Sequence, residues 1–328
     1  MTVSGVYTTV AAVGIREDLE DTIYRIDPTD TPGMSAIGRN KATGKFHEWQ
    51  IQHLAALNAM TSTGAGSPAS GDAQLDGAAA ATAVTTPTAR VGNRTQIVSR
   101  TASVSGGLQA VDTAGRANEM AYQVMLKGLE MKRQMEAILF QNQASQSDNG
   151  TNPGLLGSFE SWIATNVSRG TSGASGGFSS GNVSAPTDGT QRTFTEALLK
   201  PVLANTYTAG GKPTMMIVGA LQKQVVSTFS GLSNVSLQVK STAKPGVIIA
   251  AASVYVSDFG NIAILPDIFT RNRTALLVSP KFAKVSYLRS MRNWPLAKTG
   301  DADNRQLLVE FSLEVCNEAA HAVIADLS

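Results

Sequence analysis

YRIDPTDTPGMSAIG, residues 24–38, is the stretch on which the reading of the fold turns. It holds Pro28 and Pro32, with Asp27 and Asp30 close by, and the small residues Gly33, Ala36 and Gly38. Proline fixes φ, removes an N–H and pushes the preceding residue toward extended geometry, so regular helix is not expected here. On its N-terminal side, residues 15–24 read as a short helix with Glu17 and Asp18 at the end the helix dipole favours. On its C-terminal side, KFHEWQIQHL (45–54) reads as a strand, with Trp49 and Ile51 on one face and Glu48, Gln50 and Gln52 on the other. The stiff, turn-rich connector between them is expected to lead out of one subunit toward others.

Moving outward, RVGNRTQIVSRTASV (90–104) is rich in β-branched residues and reads as a second strand. Between the two strands lies a connection, 55–89, whose only charges are Asp72 and Asp76 and which has no aromatic residue. Most loops in compact domains run about 4–6 residues, so so long a connection is either disordered or ordered by something outside its own domain. An isolated two-stranded arm is marginal in water, so an ordered one leans on a neighbour.

Further along, 112–144 is expected to be one long helix. Ala117, Met120, Ala121, Val124, Gly128, Met131, Met135, Ile138 and Leu139 recur at three- and four-residue steps, and Asp112 is a plausible N-cap. The methionine stripe reads as packing against a sheet rather than as a cofactor site. GTSGASGGFSSG (170–181) reads as low-complexity loop, while GLLGSFESWIATN (154–166) carries enough Leu, Phe, Trp and Ile to be pinned to a core. From Thr193 to about 275 helices and strands alternate, giving an α/β or α+β module with strands expected near Val235, Val247–Val256 and Ile262–Leu265. Two more strands are expected at 275–278 and 284–288. QLLVEFSLEVC (306–316) alternates cleanly, with Leu307, Val309, Phe311, Leu313 and Val315 opposite Glu310, Ser312 and Glu314, as in a half-buried antiparallel strand. HAVIADL (321–327) follows on from it.

Composition excludes several function classes. The 328 residues carry a net charge of +2 with no run of Lys or Arg longer than two, which does not describe a basic nucleic-acid groove. Charged residues are only 16%, so the surface is bland, as surfaces that become covered often are. The single cysteine, Cys316, forbids an intrachain disulfide and reads as structural. No apolar run approaches about 18 residues, so no membrane span is expected. The first residues lack a basic region ahead of their short apolar run, so no signal peptide is expected, and the N-x-Ser/Thr sequons read as chance. The histidines are His47, His53 and His321. His47 and His53 are six residues apart, about 20 Å along one strand, too far to share a metal, and both read as strand-surface residues. TSTGAGSPASGD (61–72) is glycine-rich but lacks Gly-Lys-Ser/Thr and does not join a strand to a helix. No nucleophile, base and acid stand in a recognisable arrangement. The expectation is no enzyme, no cofactor and no metal site.

REDLEDTIYRIDPTDTPGMSAIGRNKATGKFHEWQ (16–50) resembles the N-terminal segment of tailed-bacteriophage major head proteins, which share the Hong Kong 97-type capsid fold. Residues 154–170, 210–231 and 296–324 are similar to the same family, in the same order. The resemblance implies an α+β fold with an N-terminal arm (1–44), an extended β-hairpin loop (45–107), a peripheral domain (108–192) containing the spine helix at 112–144, an inserted axial domain (193–275) and a C-terminal return to the peripheral domain (276–328). It implies a major capsid protein that self-assembles, as pentamers and hexamers, into the icosahedral shell around a packaged double-stranded DNA genome. That places it in the virion, after assembly in the bacterial cytoplasm, with portal, scaffolding and decoration proteins as further partners and DNA contacted without sequence preference. Prolines 28 and 32 would stiffen an arm that crosses a subunit border. Expected inter-subunit contacts are Pro28, Pro32, Trp49, Met60, Leu75 and Val84, with Trp49 alternatively ordinary core beneath the hairpin. Some family members cross-link neighbours through a lysine on the extended loop; no lysine occurs here between Lys45 and Lys127, so non-covalent assembly is expected. Two alternatives stand beside this reading: an encapsulin-like nanocompartment shell, and a monomeric surface protein that binds a sugar or peptide.

Overall fold

Pro32 opens a helix instead of excluding one. The computed structural model describes residues 23–54, 86–111, 118–229 and 254–328, with 13, 76, 77 and 113 besides. In it α1 (Pro32–Ala36) begins at that proline. The first helical turn tolerates proline because its missing N–H would have no intrahelical partner there and its φ already suits a helix. The sequence expectation of no helix at 24–38 is corrected accordingly. The expected helix at 15–24 lies outside the described residues except for Ile23 and Tyr24, which are not helical. The tip residues Met60, Leu75 and Val84, the cap Asp112 and the strand near Val235 also lie outside them.

Next come β1 (Gly38–Lys41) and β2 (Phe46–Ile51). The single strand expected at 90–104 is two, β3 (Ala89–Arg94) and β4 (Gln96–Ser105). Thr95 makes the break: its N–H donates to the Lys45 carbonyl at 2.8 Å and its hydroxyl to Glu310 at 2.9 Å. β2 and β3 pair antiparallel, from Phe46 opposite Arg94 to Ile51 opposite Ala89. β4 joins a different sheet.

After α2 (Gly106–Ala110) comes α3 (Glu119–Phe140), 22 residues instead of the expected 33 or so. Asn118 begins it, its side-chain oxygen accepting the Ala121 N–H at 2.9 Å as an N-cap does. At the far end the Gln143 N–H turns to the Ser158 hydroxyl at 3.0 Å, a side-chain partner that competes with helix continuation. At about 1.5 Å per residue, α3 is about 33 Å long. Its stripe is buried at Met120, Met131, Met135, Ile138 and Leu139.

The remaining elements are α4 (Phe159–Trp162), β5 (Val167–Ser168), β6 (Gly177–Ser179), β7 (Asn182–Ser184), α5 (Glu196–Thr208), β8 (Met215–Val218) and α6 (Ala220–Val226). Then follow β9 (Val254–Ser257), β10 (Gly260–Pro266), β11 (Thr274–Val278), β12 (Ala283–Pro295), β13 (Ala302–Val315) and β14 (Ala322–Ala325). The low-complexity 170–181 ends in structure: Ser180 (φ 50°) and Gly181 (φ 82°) make the tight turn of the β6–β7 hairpin.

Two units divide the chain: Met1–Asp30, Val98–Gln134 and Met291–Val309 form one, and Thr31–Ile97, Met135–Ser290 and Glu310–Ser328 the other. In the first, Met120 and Val124 of α3 pack with Ala102 and Val104 of β4. The second is built on a six-stranded sheet in the order β5-β14-β11-β8-β10-β9. Its core joins Leu199, Val202 and Leu203 of α5 to Met216, Val218, Ile264, Leu277 and Ile324 of the sheet. The sheet draws β8 to β10 from one side of residue 275 and β14 from the other, so the expected axial segment 193–275 and the C-terminal return 276–328 share one sheet.

A second sheet has the order β1-β12-β13-β4. Here β13 departs from expectation. Its apolar side is buried as anticipated, but Glu310 (3% exposed), Ser312 (0%) and Glu314 (5%) are buried too. The strand alternates, yet both faces are covered.

Candidate assembly site

The arm enters the second unit at α1, and a buried carboxylate holds it there. Glu136 of α3 accepts the Gly33 N–H on Oε1 at 2.6 Å and the Met34 N–H on Oε2 at 2.8 Å. These are among the first N–H groups of a helix, which lack intrahelical partners and carry the positive end of its dipole. Gly33 permits the approach, because a Cβ there would collide with the Phe140 ring and the Glu136 carboxylate. Burial is the largest influence on Glu136 and pushes its pKa up to about 7; nearby Asp267 acts in the same direction, and the two N–H donors oppose both.

N-terminal to this anchor, residues 23–30 form no helix or strand. Ile26 is 101% exposed and Ile23 46%. Pro28 is exposed and Pro32 half-buried at the start of α1.

The root of the β2–β3 hairpin is fixed through the polar side of β13. Glu314 accepts from Asn40 Nδ2 (2.8 Å), the Ser286 hydroxyl (2.9 Å) and Lys284 Nζ (3.3 Å), and pairs with His47 Nε2 (3.1 Å). Burial alone would raise its pKa. Hydrogen bonds from His47, Asn40 and Ser286, with the charge of Lys284, hold it well below the usual carboxylate range instead. Glu310 accepts from Thr95 (2.9 Å) and Arg289 Nε (2.7 Å). Asn93 of β3 is fully buried, donates to the carbonyls of Gly157 and Leu313 at 2.9 Å each, and accepts the Gly157 N–H at 2.8 Å. His47 is therefore not the strand-surface histidine expected: its side chain is 12% exposed and tied to Glu314. His53 is exposed.

Trp49 is half-buried, with its ring centroid 5.3 Å from that of Trp162; Trp162 in turn stacks on Phe178 at 5.5 Å, the two planes 1° apart. Trp49 thus packs within its own chain. The anchors Gly33, Glu136, Asn93, Glu310 and Glu314 were not among the expected site residues. The one signal for Glu136 was a carboxylate beside Met135 on the apolar stripe of a helix. Among the described residues, no group of three or more His, Cys, Asp or Glu is placed to hold a metal ion, and no helix is long and apolar enough to cross a membrane.

An anchored arm, a hairpin clamped at its root and two sheets form the Hong Kong 97-type capsid fold, as comparison with solved structures shows. The capsid asymmetric unit of Cyanophage A-1(L) superposes with a TM-score of 0.63 at 13% identity, covering 98% of each chain. The holo-SrpI encapsulin complex from Synechococcus elongatus PCC 7942 shares the architecture at a TM-score of 0.51 and 9% identity, over 96% of this chain and 97% of that one. Fold alone therefore does not separate a phage head from an encapsulin. Sequence does: the model of the SU10 major capsid protein family matches residues 2–328, and the chain belongs to that family of structural capsid proteins. The major capsid protein of Escherichia phage Phieco32 is 28% identical over 140 residues, 40% of this chain and 37% of that protein. That match spans well under half of the relative's length.

Proposed function

We propose that many copies of this chain, arranged as pentamers and hexamers, close into the icosahedral head shell of a tailed phage, enclosing its packaged double-stranded DNA. The family match over residues 2–328 is the observation that carries the reading. The structure supplies a physical rationale. The arm is fixed at one end by Glu136, while Ile23 and Ile26 beyond the anchor are left in water. A second copy that covers them gains apolar burial, about 25 cal/mol per Å². Assembly takes place in the host cytoplasm, and the finished shell is part of the virion. Portal, scaffolding and decoration proteins are the further partners, and DNA is contacted through its backbone without sequence preference. Pro28, Pro32, Trp49, Met60, Leu75 and Val84 are the proposed contact residues.

Electron microscopy and light scattering of the purified chain test the reading. Uniform closed particles of megadalton mass support it, and monomers that persist at high concentration contradict it and favour a surface binding protein. Nuclease-protected double-stranded DNA inside particles from infected cells separates a phage head from a nanocompartment, which would hold protein cargo.

A further inference from the structure

Between α3 and α4 the chain makes an exposed turn at 147–152, SDNGTN, which holds the one Asn-Gly step in the sequence, Asn149–Gly150. Four hydrogen bonds arrange that step. The Asn149 side-chain oxygen accepts the Thr151 N–H at 3.0 Å and the Asn152 N–H at 2.7 Å. The Gly150 N–H donates to Asp148 Oδ1 at 3.1 Å. The other oxygen of that carboxylate is held by Lys45 Nζ at 3.1 Å. The Gly150 N–H and Lys45 keep the Asp148 carboxyl below its ordinary pKa, so it is ionised at neutral pH and can accept a proton. Gly150 has φ 81°, and a Cβ there would meet nothing within 4 Å.

Asparagine turns commonly use such bonds only to fix the backbone. Here they also fall on the atoms of one possible reaction. The two N–H groups on the Asn149 oxygen polarise its carbonyl and stand where negative charge would gather if its carbon were attacked. The bond from Gly150 aims the adjacent amide proton at a base. We propose that Asn149–Gly150 is a site of spontaneous succinimide formation, which slowly converts Asn149 to aspartate and isoaspartate. The Gly150 nitrogen bonds to Asn149 Cγ and gives its proton to Asp148. The Cγ–Nδ2 bond then breaks, Asp148 returns the proton to the departing nitrogen, and ammonia leaves. Water opens the five-membered ring at either carbonyl, so neither oxidant nor enzyme is required. Neighbouring asparagines are less suited: Asn152 precedes Pro153, whose nitrogen has no proton to lose, and Asn142 and Asn166 precede the bulkier Gln143 and Val167. Conversion adds one negative charge next to the Asp148–Lys45 pair, at the foot of β2. The inference goes beyond the shell reading and does not depend on it.

The test ages the purified chain at mildly alkaline pH beside a free peptide of residues 143–156. Mass spectrometry follows the tryptic fragment 134–169, fragmentation locates the change, and an isoaspartyl methyltransferase detects isoaspartate. The expected result is an amide-to-acid mass gain confined to Asn149, faster in the folded chain than in the peptide. Asp148→Ala should slow the folded chain roughly tenfold, less than an enclosed base supplies because this carboxylate lies partly in water. The same substitution should leave the peptide's rate nearly unchanged, and urea unfolding confirms that the full-length variant folds. An Asn149 that converts no faster in the folded chain than in the peptide overturns the proposal, because the turn then only protects the amide. A folded-chain rate indifferent to Asp148→Ala overturns it too, by removing the base.

Discussion

His321 offers the sharpest test of the chemistry inside the second unit. It is fully buried, with Phe159 edge-on at 4.9 Å. Its Nδ1 accepts the Ser279 N–H at 3.2 Å, which leaves Nε2 protonated and donating to the Phe282 carbonyl at 3.3 Å. This neutral tautomer satisfies the turn between β11 and β12. Burial is the main cause that lowers its pKa from 6.5 to about 4. A histidine depressed on folding takes up its proton more readily when unfolded, so its contribution is complete above pH 6.5 and lost as pH falls toward 4. One proton with these two pKa values gives a loss of about 2 kcal/mol between about pH 7.5 and pH 5. The wild-type curve alone hides it. Glu136, raised from 4.5 to about 7, is the opposite case. The folded state holds its proton more tightly, so stability is greatest below 4.5, declines as pH rises through 7, and shifts by about 2 kcal/mol the other way over the same window. The comparison that isolates the histidine is with His321→Asn, whose side-chain oxygen can still accept the Ser279 N–H but does not titrate. Urea unfolding of dissociated subunits at both pH values is the assay. The variant is expected to be less stable at pH 7.5, and the gap to wild type should close by about 2 kcal/mol at pH 5. A gap that stays constant refutes the reasoning, because the ring would then not be held neutral by its burial.

Other perturbations follow from the anchors. Glu136→Ala leaves the Gly33 and Met34 N–H groups unpaired and should cost about 2 kcal/mol in urea unfolding, with faster protease cleavage near α1. Gly33→Ala should cost about 1–3 kcal/mol by forcing a Cβ against Phe140, read as a lower thermal midpoint. Asn93→Leu removes three hydrogen bonds that tie β3 to Gly157 and Leu313, and a loss of about 3 kcal/mol is expected from the same denaturation curves. Shells boiled in SDS should run as a single band near 34.3 kDa, since the chain has no lysine between Lys45 and Lys127; a covalent ladder would overturn non-covalent assembly.

Periodicity made some elements plain and hid others for physical reasons. The α3 stripe and the alternation of β13 follow from burial against a neighbour, so they were legible in the residues that bury. The length of α3 was not. Asn118 and Ser158, which set its ends, act through single hydrogen bonds that leave no periodic trace. Alternation also cannot tell water from a polar covering layer, so Glu310 and Glu314 read as solvent-facing when they are clamps for the hairpin root. Pro32 misled in the same way: a proline forbids helix interior but favours helix start, and only the partner 103 positions away, Glu136, shows which applies. The stiffness and small residues of 24–38 marked the stretch as unusual. Its anchor needed the fold, because contact between Gly33 and Glu136 is a property of tertiary structure.

The central claim is that residues 23–30 complete their structure on another copy of the chain. Amide hydrogen exchange of that segment, compared between closed particles and dissociated subunits, addresses it directly. Strong protection of Ile23 to Asp30 in particles, with fast exchange in single subunits, is the predicted result. Equal protection in a solitary subunit, or equally fast exchange in the closed shell, would contradict the account.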